Sequence, residues 1–232
     1  MKVAIMQPYF FPYIGYYQLI QAVDVIVIYD NIKYTKKGWI NRNRYLLNGR
    51  DQLFSLPLKR NSDFLDIRER EIAESFERDK LLQRIKGAYR KAPFFQETFG
   101  LIEETIGCEK INLFDFLHNS LLKTCSFLGI TTEVVISSTV NIDHNLQSQD
   151  KVLALCKELG AATYFNPVGG QELYSRKAFQ EQDLELYFLK PELFSYRQFD
   201  DPFVPWLSII DVLMFNCLND VQGYLKSRFE LL

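Results

Sequence analysis

Histidine is nearly missing: the 232 residues hold two, His118 and His144. A zinc site built on imidazoles, or a histidine-based triad, needs partners that two such scattered residues do not supply. Four cysteines (Cys108, Cys125, Cys156, Cys217) stand far apart with no C-x-x-C pair. That pattern speaks for small buried side chains in a reducing compartment, not for a disulfide framework or a thiol-ligated metal. No G-x-S-x-G elbow is present, so no serine is marked as an activated nucleophile. Apolar runs fall far short of the roughly 18 residues a transmembrane helix requires. Residues 1–7 are too short an apolar stretch for a signal peptide and break at once into Pro8. The expected location is the cytoplasm, with no membrane span. Charge of one sign is also lacking: 27 Lys+Arg against 29 Asp+Glu leave −2, which argues against a nucleic-acid partner.

What is present is apolar and aromatic. Hydrophobic residues make up 47% and aromatic ones 15%, enough for a core at a length that suits one domain over 1–232. Continuous apolar runs at 3–6, 25–29, 134–136, 162–165 and 184–188 read as strands, mostly separated by helical patterns. Runs without alternation suit a parallel sheet covered on both faces. The expectation is a doubly wound, mostly parallel five-stranded α/β sheet, with a helical insertion over about 65–128 and C-terminal helices over about 203–232. In such a sheet ligands bind at the carboxyl ends of the strands. Four polar or glycine-bearing segments lie there: residues 7–17, Asp30 onward, Ser137-Ser138-Thr139, and Asn166-Pro167-Val168-Gly169-Gly170.

Residues 31–50 hold six basic residues (Lys33, Lys36, Lys37, Arg42, Arg44, Arg50) and no acidic one. Asn48-Gly49 between apolar runs predicts a β-hairpin with a type I′ turn, an insertion over about 33–60. The basic stretch reads either as a solvated face or as a phosphate-facing loop. In the latter reading Lys36, Lys37, Arg42 and Arg44 neutralise phosphates, while Gln7, Asn41 and Asn43 orient polar sugar or base groups. The loop from Gln7 to Tyr16 leads from a strand into a helix N-terminus, which offers free N–H groups to an anion. Gly15 there either lets a ligand approach closely or serves helix–sheet packing. Tyr9 and its aromatic neighbours form a rim or part of the core. Asp30 is a candidate for holding a metal ion, receiving a proton, or binding an amine or a ribose hydroxyl, or for capping its loop. Asn166, Gly169 and Gly170 are a binding loop or only a turn.

The stretch Gln7-Pro8 through Phe11-Pro12 and Gly15-Tyr16, then Asp30, Tyr34-Thr35-Lys36-Lys37 and Trp39-Ile40-Asn41-Arg42-Asn43, resembles the WbqC-like family. The likeness extends over essentially the whole chain, including Leu207-Ser208-Ile209-Ile210-Asp211. Members are found with genes for O-antigen and other surface-polysaccharide sugars, which implies a sugar-modifying role. A second resemblance is to nucleotidylyltransferases and pantothenate-synthetase-like ligases. Tyr13-Ile14-Gly15-Tyr16 lies where they carry H-x-G-H, and Ile136-Ser137-Ser138-Thr139 is similar to their phosphate-holding I-S-S-T. Both histidines of that motif are tyrosines here, and a neutral phenol donates a hydrogen bond but supplies no charge near pH 7.

These readings combine into an enzyme of surface-polysaccharide (O-antigen) biosynthesis, a transferase or ligase on a nucleotide-linked amino sugar, with amide-forming aminoacyl transfer as the reaction. Asp30, Tyr16 and Lys37 are its catalytic candidates. Gln7, Tyr9, Tyr13, Gly15, Tyr34, Lys36, Asn41, Arg42, Asn43, Arg44, Ser137, Ser138, Asn166, Gly169 and Gly170 are its substrate-binding ones. ATP is compatible with such chemistry, no metal is expected, and nothing specifies an oligomeric state. The alternative is a non-catalytic module that binds a sugar phosphate within a polysaccharide-synthesis complex.

Overall fold

Strands with apolar side chains on both faces need cover on both sides, and the first two runs of the chain receive it. The computed structural model describes residues 1–199 and 202–232. In it β1 (Lys2–Met6) and β2 (Val25–Ile28) are joined by α1 (Ile14–Gln21) and pair in parallel, Val3 opposite Val25 and Met6 opposite Ile28. Alternate residues of these strands serve different cores. Ala4, Ile26 and Ile28 enter the larger cluster, whereas Val3, Ile5, Val25 and Val27 enter the smaller.

The hairpin follows: β3 (Arg42–Leu47) and β4 (Arg50–Ser55), a separate two-stranded sheet. Its turn residues Asn48 and Gly49 have φ of 51° and 72°, as a type I′ turn demands. Next come α2 (Arg78–Tyr89), α3 (Phe95–Ile106) and α4 (Leu113–Leu128), the last capped by Asn112 and ended by Gly129 at φ 72°. β5 (Glu133–Ile136), α5 (Ser148–Glu158), β6 (Thr163–Pro167), α6 (Arg176–Gln180) and β7 (Glu185–Pro191) complete the parallel part. The chain ends in α7 (Ile209–Phe215), α8 (Leu218–Ser227) and β8 (Phe229–Leu231). Helices α5 and α6 cover the smaller face; α1 to α4, α7, α8 and the hairpin pack on the larger.

The main sheet runs β5-β2-β1-β6-β7-β8. It has six strands, not the expected five. The five parallel strands stand where the apolar runs predict them, and β8 adds an antiparallel edge to β7. That strand is three residues long, Phe229-Glu230-Leu231, too short for any pattern to announce its pairing. Two further expectations need correction. The helical insertion begins only at Arg78; before it lie bridges and a single 3-10 turn, Ile67–Glu69, closed by a reciprocal Asp66–Glu69 capping box. The tail is also not continuously helical: α7 starts at a Ser208 cap, and Asn216 has extended φ/ψ that breaks it from α8.

Across the larger face, the amide of Gln18 on α1 is fully buried and donates to the carbonyls of Tyr224 (3.0 Å) and Arg228 (2.9 Å) at the end of α8. The Tyr224 carbonyl also accepts from the Arg228 N–H (3.2 Å), and that of Arg228 from the Glu192 N–H (2.9 Å). The chain leaves β1 toward β2 and β5, then returns to the other side of β1 as β6 and β7. Connections therefore diverge between β1 and β6, where an open α/β sheet opens its crevice at the carboxyl ends.

Candidate active site

A pocket of about 430 Å³ lies at that divergence. The loop after β1 supplies Tyr9, Pro12 and Tyr13; the loop after β6 supplies Val168; the end of β7 supplies Lys190 and Pro191. The basic segment and hairpin add Trp39, Asn43 and Arg44, and Trp206 closes the ring. Both tryptophans of the chain are therefore in this one wall. Burial raises the pKa values of Tyr9 and Tyr13, so both remain neutral hydrogen-bonding phenols at physiological pH.

The pocket's shape is set by a knot of three chain segments. Phe11 holds φ at 43°, an uncommon backbone for a bulky residue. The buried Asn43 side chain donates from Nδ2 to the carbonyls of Phe10 (3.2 Å) and Phe11 (2.8 Å), and its Oδ1 accepts from the Arg44 N–H (2.8 Å). Ser208, fully buried, donates from Oγ to the Phe11 carbonyl at 2.7 Å. Backbone N–H groups of Ser208 and Ile209 donate to the carbonyls of Arg44 and Pro12, both at 2.9 Å. Gly15 belongs to the same packing. A Cβ there would stand 2.4 Å from Tyr13 Cε2 and 2.6 Å from Pro191 Cγ.

Arg44 lies with its guanidinium 5.4 Å from the Trp39 ring centroid, and Arg42 lies at 5.9 Å from the same ring, distances that suit cation–π attraction. Arg42 also donates from Nε to the Gly38 carbonyl (2.9 Å) and from Nη2 to that of Lys37, shaping the turn that carries Trp39. Lys37 is exposed, and Lys36 is exposed and paired with Asp63 at 2.7 Å. Tyr34 donates to Asn41 Oδ1 (2.8 Å), and Asn41 Nδ2 donates to the Leu56 carbonyl (2.7 Å); this pair braces the base of the hairpin. Tyr16 is sealed in the core and donates to the Gln7 carbonyl at 2.8 Å. Asn166 accepts from Tyr164 OH (3.1 Å), and a Cβ on Gly170 would sit 2.0 Å from its Nδ2, so these residues form the turn that presents Val168; Gly169 has open space beside it.

Asp30 and Ser137-Ser138 meet each other instead, at the carboxyl ends of β2 and β5. Asp30 is buried, and its Oδ1 accepts from Ser137 Oγ (2.8 Å) and the Ser138 N–H (3.0 Å), with Arg68 3.8 Å from Oδ2. The donors that the I-S-S-T resemblance assigns to phosphate are thus engaged by a carboxylate of the chain. Asn31 extends the cluster: its Oδ1 lies 2.7 Å from Ser137 Oγ, its Nδ2 2.9 Å from His144 Nδ1, and its backbone carbonyl accepts from the buried Lys151 at 3.2 Å. Burial lowers the Lys151 pKa, while Asp66 and Asp30 oppose the shift. None of these residues lines the pocket.

Of the residues expected at the site, the pocket gathers Tyr9, Tyr13, Asn43 and Arg44, with Gly15 behind them. Sequence reasoning did not select Lys190, Pro191 or Trp206. The first two lie beyond the expected end of the 184–188 strand, which continues to Pro191. The rarity of tryptophan was the available signal for Trp206. Among the described residues no group of three or more His, Cys, Asp or Glu side chains is placed to hold a metal ion, and no helix is long and apolar enough to cross a membrane.

No solved structure matches the chain. An uncharacterized protein of Mycobacterium tuberculosis, Rv1507c, is 28% identical over 228 residues, 97% of each chain. The model of the WbqC-like protein family matches residues 7–222, a span that takes in the β1 loop, the basic segment, the hairpin and Trp206. On that match over nearly its whole length, this chain belongs to the WbqC-like protein family.

Proposed function

We propose that this protein binds a nucleotide-linked amino sugar in the crevice between β1 and β6 and transfers an acyl or aminoacyl group to the sugar's amine, as a step in making surface-polysaccharide (O-antigen) sugars. The observation that carries the reading is the pocket wall: four aromatic rings with Arg44 and Lys190, at the point where the sheet's connections diverge. Rings offer flat apolar platforms, and the two cations suit phosphates. The order β5-β2-β1-β6-β7 supports a nucleotidylyltransferase-like fold. In amide formation the amine nitrogen attacks the acyl carbonyl, a C–N bond forms, and the bond to the leaving group breaks; that group departs with the electron pair and takes up the proton the nitrogen gives up. The chain's contribution in this reading is orientation and charge neutralisation.

A second reading, a sugar-phosphate-binding or assembly module without turnover, is favoured by one feature. Among the described residues the pocket lining contains no carboxylate, thiol or imidazole, and its groups able to exchange a proton are Lys190 and the neutral phenols of Tyr9 and Tyr13. Incubation of the purified protein with nucleotide-linked amino sugars, ATP and amino acids, read by mass spectrometry, separates the two. A mass gain on the sugar that disappears in Trp39→Ala and Arg44→Gln supports the enzyme. Tight binding without any product supports the module.

A further inference from the structure

Among the described residues Arg44 and Lys190 are the charged side chains of the pocket, and each is held by a carboxylate that the sheet registers put beside it. On the hairpin, Arg44 is opposite Leu53, which makes Asp51 its diagonal neighbour; Nη1 lies 3.2 Å from Asp51 Oδ2. On the edge of the main sheet, Lys190 is directly opposite Glu230 and bonded to it. Neither carboxylate lines the pocket, and both are about half exposed, at 48% and 50%. Exposed pairs of this kind are weak. Arg44 also has donors to spare: its Nη2 donates to the Trp206 carbonyl (3.2 Å), while its buried Nε has no partner among the described residues.

We infer that the pocket takes the base and ribose of a nucleoside phosphate, with the phosphate on Arg44 and Lys190, and that Asp51 and Glu230 are internal competitors which the phosphate displaces. This rests on the nucleotide-sugar reading and states which end of that ligand enters. Among the described residues the lining offers aromatic faces, phenol and indole donors and two cations, with no acidic group to receive an ammonium. A protonated amino sugar is repelled by such a wall, whereas a flat ring carrying an anion matches it. A volume of about 430 Å³ is near the lower end of small-molecule sites, which suits one ring system with its ribose. The sugar then projects past the two cations.

An unusual consequence makes the inference testable. Removing Asp51 or Glu230 deletes a salt bridge yet tightens ligand binding, because the freed cation no longer exchanges partners. Both tryptophans report the pocket, so emission excited at the red edge of tryptophan absorption, checked by calorimetry, follows titration with ribonucleoside 5′-monophosphates and thymidine monophosphate. Uridine, ribose 5-phosphate and inorganic phosphate are the comparison ligands. At least one monophosphate should bind at least about tenfold more tightly than its base-free and phosphate-free counterparts, the fold-change expected from losing about 1.4 kcal/mol. Asp51→Asn and Glu230→Gln should each tighten that ligand about two- to fivefold at low salt, the range expected of exposed pairs, and the gain should shrink as salt screens it. Arg44→Gln should weaken it.

Monophosphate binding no better than ribose 5-phosphate, or affinities that stay level or fall in both carboxylate variants, overturns the inference. If either happens while a nucleotide-linked amino sugar is still converted in the mass-spectrometric assay, the sugar end occupies the pocket and the functional reading survives. If no phosphorylated compound binds at all, both fall together.

Discussion

Asn43→Asp is the sharpest single test of how the pocket is built. The change keeps the side chain's shape and removes its two N–H donors. In the native protein those donors hold the carbonyls of Phe10 and Phe11, at 3.2 and 2.8 Å, on a loop whose Phe11 has φ at 43°. Phe11 keeps a second partner in Ser208 Oγ, but among the described residues the Phe10 carbonyl has no other. Losing two hydrogen bonds costs about 1 kcal/mol each, and leaving one buried carbonyl unpaired adds about 1–2 kcal/mol, for a total of about 3–4 kcal/mol. A carboxylate oxygen facing two carbonyl oxygens makes the aspartate at least as costly as alanine. Against a whole-domain stability of about 5–15 kcal/mol that loss is large and measurable. Urea denaturation followed by far-ultraviolet circular dichroism should show a lower midpoint at unchanged slope, and Trp39 and Trp206 emission should shift before the main transition. A cost below about 1 kcal/mol, with native emission, would refute the claim that Asn43 holds the β1 loop.

Three further outcomes follow from the same structure. In Gly15→Ala the usual gain of about 0.5–1 kcal/mol for alanine in a helix is reversed, because Tyr13 and Pro191 must move by more than a flexible side chain does; a melting temperature that rises would refute this reading. Ser137→Ala strips Asp30 of one buried donor and should cost about 1–3 kcal/mol by chemical denaturation; an unchanged midpoint contradicts it. Asp211, fully buried, accepts from Tyr89 (2.8 Å), Tyr196 (2.6 Å) and Gln198 (2.6 Å), and burial raises its pKa despite those donors. The native state therefore holds this proton to higher pH than the unfolded chain does. Its stabilising contribution is full below the ordinary carboxyl pKa and declines as pH rises through the raised value. The stability of the native protein relative to Asp211→Asn should fall from about pH 4 upward, and a difference that grows with pH would show the opposite shift.

The parts of the fold legible from the sequence are those fixed by local rules. β1 and β2 are buried on both sides, so their runs are unbroken; the hairpin is marked by Asn48-Gly49; α4 and α5 end near Gly129 and Gly160, both at positive φ. What escaped depends on contacts far along the chain. β8 exists because β7 has an open edge beside it, and residues 65–77 are held by bridges such as Glu71 to Asn112 rather than by any periodicity. The site divides the same way. The β1 loop and the hairpin were visible as polar and aromatic punctuation, and the structure brings them together with the β6 loop. Trp206 joins them through its edge-to-face contact with Tyr13 and through the Ser208 and Arg44 contacts, each reaching far across the sequence. Asn43 shows a subtler limit: its donors are turned on backbone carbonyls, and a sequence cannot tell whether an amide faces a ligand or its own chain.

The Gln18 side chain has a consequence for how the molecule opens. An amide on the first helix binds the last-turn carbonyls of the eighth across 206 and 210 residues of sequence, so loosening either helix strips a buried polar contact from the other. Amide protons in the two should exchange with solvent at a common opening free energy, and the beginning and the end of the polypeptide would then come apart as one cooperative unit.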